Sequence, residues 1–135
     1  MQPAMRYGLA GIGALALLSL VQWLREQHLQ PGPLGQYLLG VTPNFAAAIA
    51  ITFVLLSAWT DQRRTAAETA PWRRFAICAA ISGFGLTGWE LVQRTSGRFV
   101  FDLNDILATL LGIGAAALLF RAITPEPADG TQRPR

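Results

Sequence analysis

The chain has 135 residues, enough for one domain, and is 52% hydrophobic and only 14% charged. Soluble domains carry about 25% charged residues, so this composition makes a water-facing surface around a small core hard to build. The formal net charge of +3 comes from eleven arginines and no lysine; they sit in gaps between apolar runs and form no continuous basic face, so no nucleic-acid partner is expected and they read instead as topology signals.

Residues 1–6 are a short polar start. Residues 7–24 (YGLAGIGALALLSLVQWL) carry no charge and are long enough to span a bilayer with some help from the flanks. A cleaved signal peptide is the competing reading. It would show a shorter apolar region followed by a small-x-small site, but Arg25-Glu26-Gln27-His28 follows here. Residues 25–36 read as a loop with Pro31-Gly32-Pro33 as its breaker. Residues 37–59 form the second span, with Pro43 about one turn inside it, where a membrane helix tolerates proline. Residues 60–74 are a polar loop holding Arg63, Arg64, Arg73 and Arg74.

The third span, 75–93, is the least apolar. Its Ser82, Gly83, Gly85, Thr87 and Gly88 allow close helix approach, which predicts a central place for it in the bundle. Residues 94–98 make a tight loop, and 101–123 are the fourth span. Residues 124–135, with Pro125, Pro127, Gly130 and Pro134, read as a disordered polar tail. Tyr7, Trp23, Tyr37, Trp59, Trp72 and Trp89 fall near span ends, where amphipathic rings sit at the headgroup level.

The expected fold is therefore all-α: an integral membrane four-helix bundle, multi-pass in an inner-type cell membrane. An even number of spans puts both termini on one side. Arg6, Arg63, Arg64, Arg73, Arg74, Arg121, Arg133 and Arg135 fall on that side; Arg25, Arg94 and Arg98 fall on the other. The positive-inside rule then makes both termini cytoplasmic.

This topology gathers the polar side chains. Asn44 lies in the outer half of the second span, Glu90 and Gln93 near the outer end of the third, and Asp102, Asp105 and Thr109 in the outer half of the fourth. Glu90 and Gln93 are neighbours on one helix side, as are Asp102 and Asp105. Thr109, Gly112 and Ala116 continue the aspartate stripe, whose small residues let another backbone approach and predict burial against the third helix. Plain structural readings stand beside the functional one. Asp102 can cap the fourth helix, and Asp105 in its first turn would gain about 0.3–1 kcal/mol from the helix dipole. The acids can also pair with Arg98 or Arg94. Asn44 can serve as an interhelical hydrogen bond, Cys78 as an apolar filler and His28 as a solvated loop residue. Against these, an ionised aspartate at mid-membrane costs about 2.5–3.5 kcal/mol, which marks an intramembrane carboxylate as a candidate site.

Cys78 is the only cysteine and His28 the only histidine. That excludes an internal disulfide, cysteine metal sites and paired-histidine motifs. No nucleophile-elbow motif supports a triad through His28. Two carboxylates with amides could hold Ca²⁺ or Mg²⁺, but no recognised ligand loop is present; no cofactor and no metal is expected.

Glu90-Leu91-Val92-Gln93, then Asp102-Leu103-Asn104-Asp105 and Gly112 with Arg98 between, resemble the mark of the VanZ-like membrane proteins. That mark is a Glu-x-x-Gln closing one span and an Asp-x-x-Asp-x-x-x-Asn-x-x-Gly opening the next. Thr109 stands where the family usually has Asn, and Ala116 where it often has Gly. Pro43-Asn44-Phe45 is similar to the second span of short members. The resemblance implies a VanZ-like membrane domain over residues 1–123 and a cell-envelope role, its founding member being associated with resistance to the glycopeptide antibiotic teicoplanin. It implies no reaction.

Three readings follow. The first is a binding module with the bilayer as its medium. Asn44, Glu90, Gln93, Arg98, Asp102, Asp105 and Thr109 would then present an outward polar pocket to a lipid headgroup, an envelope precursor or a glycopeptide antibiotic. The second is a membrane enzyme using Glu90 and Asp105 as an acid/base pair on a lipid-linked substrate; it ranks lower because no nucleophile has a clear base. The third is a structural subunit packed against a larger membrane protein or further copies of itself.

Overall fold

The computed structural model describes residues 2–27, 32–62, 70–95 and 103–124, with side chains in the third segment followed as far as residue 92. These residues form four helices: α1 (Pro3–Glu26), α2 (Pro33–Gln62), α3 (Pro71–Thr95) and α4 (Leu103–Ile123). Three of them open on proline. At the first helical position the missing N–H has no partner to lose, and the fixed φ suits the helix. Even the shortest, α4 with 21 residues, is about 32 Å long at 1.5 Å per residue, against a hydrocarbon core of about 30 Å. All four are long and apolar enough to cross a membrane, and α3 is the least apolar of them.

The helices run past the apolar spans. Arg25, Glu26, Asp61, Gln62, Arg73 and Arg74 are all helical, and Pro33, the expected breaker, is the first residue of α2. The physical reason is that hydropathy marks where the hydrocarbon ends, whereas i→i−4 bonding continues into the headgroup region. The expectations placed on residues 28–31, 63–69, 96–102 and 125–135 lie outside the described residues.

The bundle is apolar outside, and its interior combines an aromatic cluster with small and hydroxylated residues. Phe84, Leu34 and Leu118 are 80%, 72% and 70% exposed, while Ala46, Ala48, Thr52 and Ala116 are fully buried at 0%. Water would penalise such an outer surface. In lipid no hydrophobic force separates inside from outside, and close packing of small residues decides the contacts instead.

That rule makes α2 the hub, where the sequence had pointed to α3. α2 packs against α1, α3 and α4, whereas α1 meets α4 only lightly. Its Ala46, Ala48 and Ala50 are all buried and admit neighbours on more than one side. On one flank Gly11 of α1 lies against Val54: a Cβ there would sit 3.0 Å from Val54 Cγ2 and 3.2 Å from its backbone nitrogen. On another, a Cβ on Gly112 of α4 would be 2.5 Å from the Phe45 carbonyl oxygen and 2.9 Å from Ala48 Cβ. Gly112 itself is thus packed against the second helix, where the sequence pointed to the third. α3 and α4 also pack directly, with Ile113 reaching over Gly83.

The aromatic core sits at the end of the bundle where α1 begins and α4 finishes. Tyr7, Phe53, Phe75 and Phe120 belong to one buried cluster, with ring centroids 4.6 Å apart for Phe75–Phe120 and 5.8 Å for Tyr7–Phe120. Trp72 stacks on Phe75 at 5.2 Å. Tyr7 is only 3% exposed, with its hydroxyl 3.0 Å from Thr124 Oγ1. Burial of its ring is affordable because the hydroxyl has that partner. Arg6 Nη1 donates to the Ile123 carbonyl at 3.1 Å, and Ser57 Oγ to the Ala4 carbonyl at 2.8 Å. The first and last helix ends are therefore joined side by side.

Candidate functional site

Glu90 is the one buried carboxylate among the described residues, 7% exposed. It lies five positions before the end of α3, in the half of the bundle away from the aromatic core. Asn44 Nδ2 donates to Glu90 Oε1 at 3.2 Å, joining α2 to α3 across 46 positions of sequence. Asn44 follows Pro43, which lies inside α2 and lacks the N–H that Leu39 would otherwise receive. Beside that interruption, Thr42 Oγ1 donates to the Leu38 carbonyl at 2.6 Å.

The contact extends as two facing stripes. Asn44, Ala48 and Thr52 repeat every four residues on α2; Cys78, Ser82 and Glu90 fall on the matching face of α3. Ser82 Oγ donates to the Ala48 carbonyl at 3.1 Å, and Thr52 Oγ1 donates to the same carbonyl at 2.7 Å. Ser82 and Thr52 are 1% and 0% exposed. From the sequence Ser82 is only a small residue permitting close approach, and Thr52 stands out in no way. Their signals are the four-residue repeats, Thr52 with Asn44 and Ser82 with Glu90, legible only once α2 is known to face α3.

The fourth helix contributes differently. Asp105 lies in its first turn and is half-buried, which suits a carboxylate at the positive end of a helix. Thr109 is 1% exposed, and its hydroxyl donates to the Asp105 carbonyl at 3.0 Å, one turn back in its own helix. This back-bond satisfies the hydroxyl locally. Gly112 then sets α4 against α2 near Phe45, next in sequence to Asn44. The geometry thus joins Asn44 to Glu90 and brings Gly112, one turn on from Thr109, against the same helix. Arg98 and Asp102 lie outside the described residues, as does the Gln93 side chain.

Chemically, Glu90 is a strong acceptor held by one amide donor inside an apolar bundle. A carboxylate offers about four lone-pair sites, so this pair suits hydrogen-bonded recognition of a donor-bearing group. The hydroxyls on the same two stripes, Ser82 and Thr52, spend their protons on a backbone carbonyl. Among the described residues, no three His, Cys, Asp or Glu side chains converge as a metal site would need.

No family model matches the chain, and neither a curated protein nor a solved structure does.

Proposed function

We propose that the chain is a VanZ-like cell-envelope protein of the inner membrane, with both termini cytoplasmic. In this reading it binds a lipid headgroup, envelope precursor or glycopeptide antibiotic at a polar site in the outer half of the bundle. The observation that carries the reading is Glu90: a carboxylate 7% exposed and held by Asn44 among helices apolar enough to span a membrane. Ionisable groups at such depth are costly and mark binding sites or relays. The Glu-x-x-Gln and Asp-x-x-Asp spacing supports the family, and the arginine asymmetry supports the orientation. Asp105 and Arg98 complete the site in this reading.

Gentle extraction followed by native mass spectrometry tests it. The wild-type protein should retain a lipid or envelope precursor, and Glu90→Leu and Asp105→Leu should release it while staying folded. Retention unchanged in both folded variants would sink the site and leave Asp105 as a first-turn helix charge. Glu90→Gln separates binding from catalysis. A hydrogen-bonding site keeps much of its ligand with glutamine, whereas proton transfer would stop.

A further inference from the structure

The end of the bundle away from Glu90 carries a second feature, built around Arg6. A groove of about 520 Å³ is lined by Arg6, Leu9, Ala10, Ala122 and Ile123. It lies where α1 and α4 are tied by the Arg6–Ile123 and Tyr7–Thr124 bonds. Apart from Arg6 its lining is apolar, and two of the four apolar residues, Ala10 and Ala122, are small. Arg6 is its single charged residue among those lining it.

The bond to Ile123 holds the Arg6 side chain half-buried at the rim and uses one donor of a guanidinium that has five. The first turn of α1 contains no acidic residue, and its N-cap Gln2 makes no side-chain cap. The positive end of that helix therefore adds to the arginine's charge. Arg121, the neighbouring cation on α4, is directed elsewhere: its guanidinium carbon lies 5.5 Å from the Trp72 ring centroid.

We propose that this groove holds one anionic phospholipid, with its phosphodiester on Arg6 and an acyl chain along Leu9, Ala10, Ala122 and Ile123. Charge complementarity selects this occupant. Arg6 stands near a helix end, at headgroup level if α1 spans, and Ala10 lies about 6 Å deeper at 1.5 Å per residue. A planar guanidinium pairs bidentately with phosphate oxygens. An apolar helix from a second copy would cover the arginine without supplying a counter-charge. Free phosphate would leave the apolar walls unused.

The test is native mass spectrometry of the full chain released from nanodiscs containing equal amounts of phosphatidylglycerol and phosphatidylcholine. The wild-type protein should retain phosphatidylglycerol preferentially. Arg6→Gln should lower that preference about fivefold, the scale of one basic residue at a membrane surface. Arg6→Lys should keep most of it. Ala10→Phe, which fills the groove, should reduce retention of both lipids, and Arg121→Gln should change neither. Thermal unfolding in detergent monitors the fold; were Arg6→Gln unable to fold, the lysine and Ala10→Phe variants would carry the test. An unchanged lipid ratio in folded Arg6→Gln would overturn the proposal. So would full retention in Ala10→Phe, displacement by inorganic phosphate, or a bound mass equal to a second chain.

Discussion

The worth of the bond between Asn44 and Glu90 depends on the medium around the bundle. A bond to a carboxylate is worth about 1.5–3 kcal/mol in soluble proteins. Cross-helix bonds in membranes average about 0.6 kcal/mol, because the unfolded state in the bilayer also finds partners. The lower range decides, so Asn44→Ala should cost about 0.5–1.5 kcal/mol in reversible unfolding from mixed micelles. Glu90→Gln preserves the accepting oxygen and should stay within about 0.5 kcal/mol of the wild-type protein. The paired replacement Asn44→Leu with Glu90→Leu removes both polar groups and should be nearly neutral. A large loss in the double variant alone would show that the pair organises more of the bundle than its own contact.

Between elements, glycine is the decisive residue at one crossing. A Cβ at Gly112 would meet the Phe45 carbonyl oxygen at 2.5 Å, whereas Gly114, half a turn on, has nothing within 4 Å. The same substitution should therefore have opposite signs in one helix. Gly112→Ala should destabilise by about 1–3 kcal/mol through forced separation of α2 and α4. Gly114→Ala should stabilise by about 0.5–1 kcal/mol through reduced backbone entropy. Unfolding free energies of the two variants check the claim, and equal effects would contradict it. At the aromatic end, Phe120 touches Tyr7, Phe75 and Trp72, so Phe120→Ala should cost about 3–5 kcal/mol. Tyr7→Phe keeps the ring and loses only the partner of Thr124, about 0.5–1.5 kcal/mol.

The whole molecule is two-ended. Rings and terminal ties hold one end, and the Asn44–Glu90 bond lies toward the other. The bond between Tyr7 and Thr124 puts the start of α1 and the end of α4 at the same end of the bundle. With the arginine asymmetry, reporter fusions after Arg135 should read cytoplasmic, and a reporter inserted within residues 30–36 should read external. The reverse pattern would turn the Glu90 end toward the cytoplasm and overturn the proposed outward-facing site.

The four apolar runs were legible from sequence alone because span length and charge-free composition are local, additive properties. Counting residues along the helices also places Asn44, Glu90, Asp105 and Thr109 away from the aromatic end, near the end of the bundle where α2 and α4 begin and α3 finishes. Rotation and neighbours were not legible. In a chain whose lipid face and core are both apolar, the helical period of hydrophobicity fades, and every helix carries small residues able to accept a partner. Only the tertiary structure decided that α2 is the hub, that Gly112 meets Phe45, that Thr109 turns back to Asp105, and that the partner of Glu90 is an amide 46 positions away. Each depends on which faces meet, and shape complementarity between packed helices settles that.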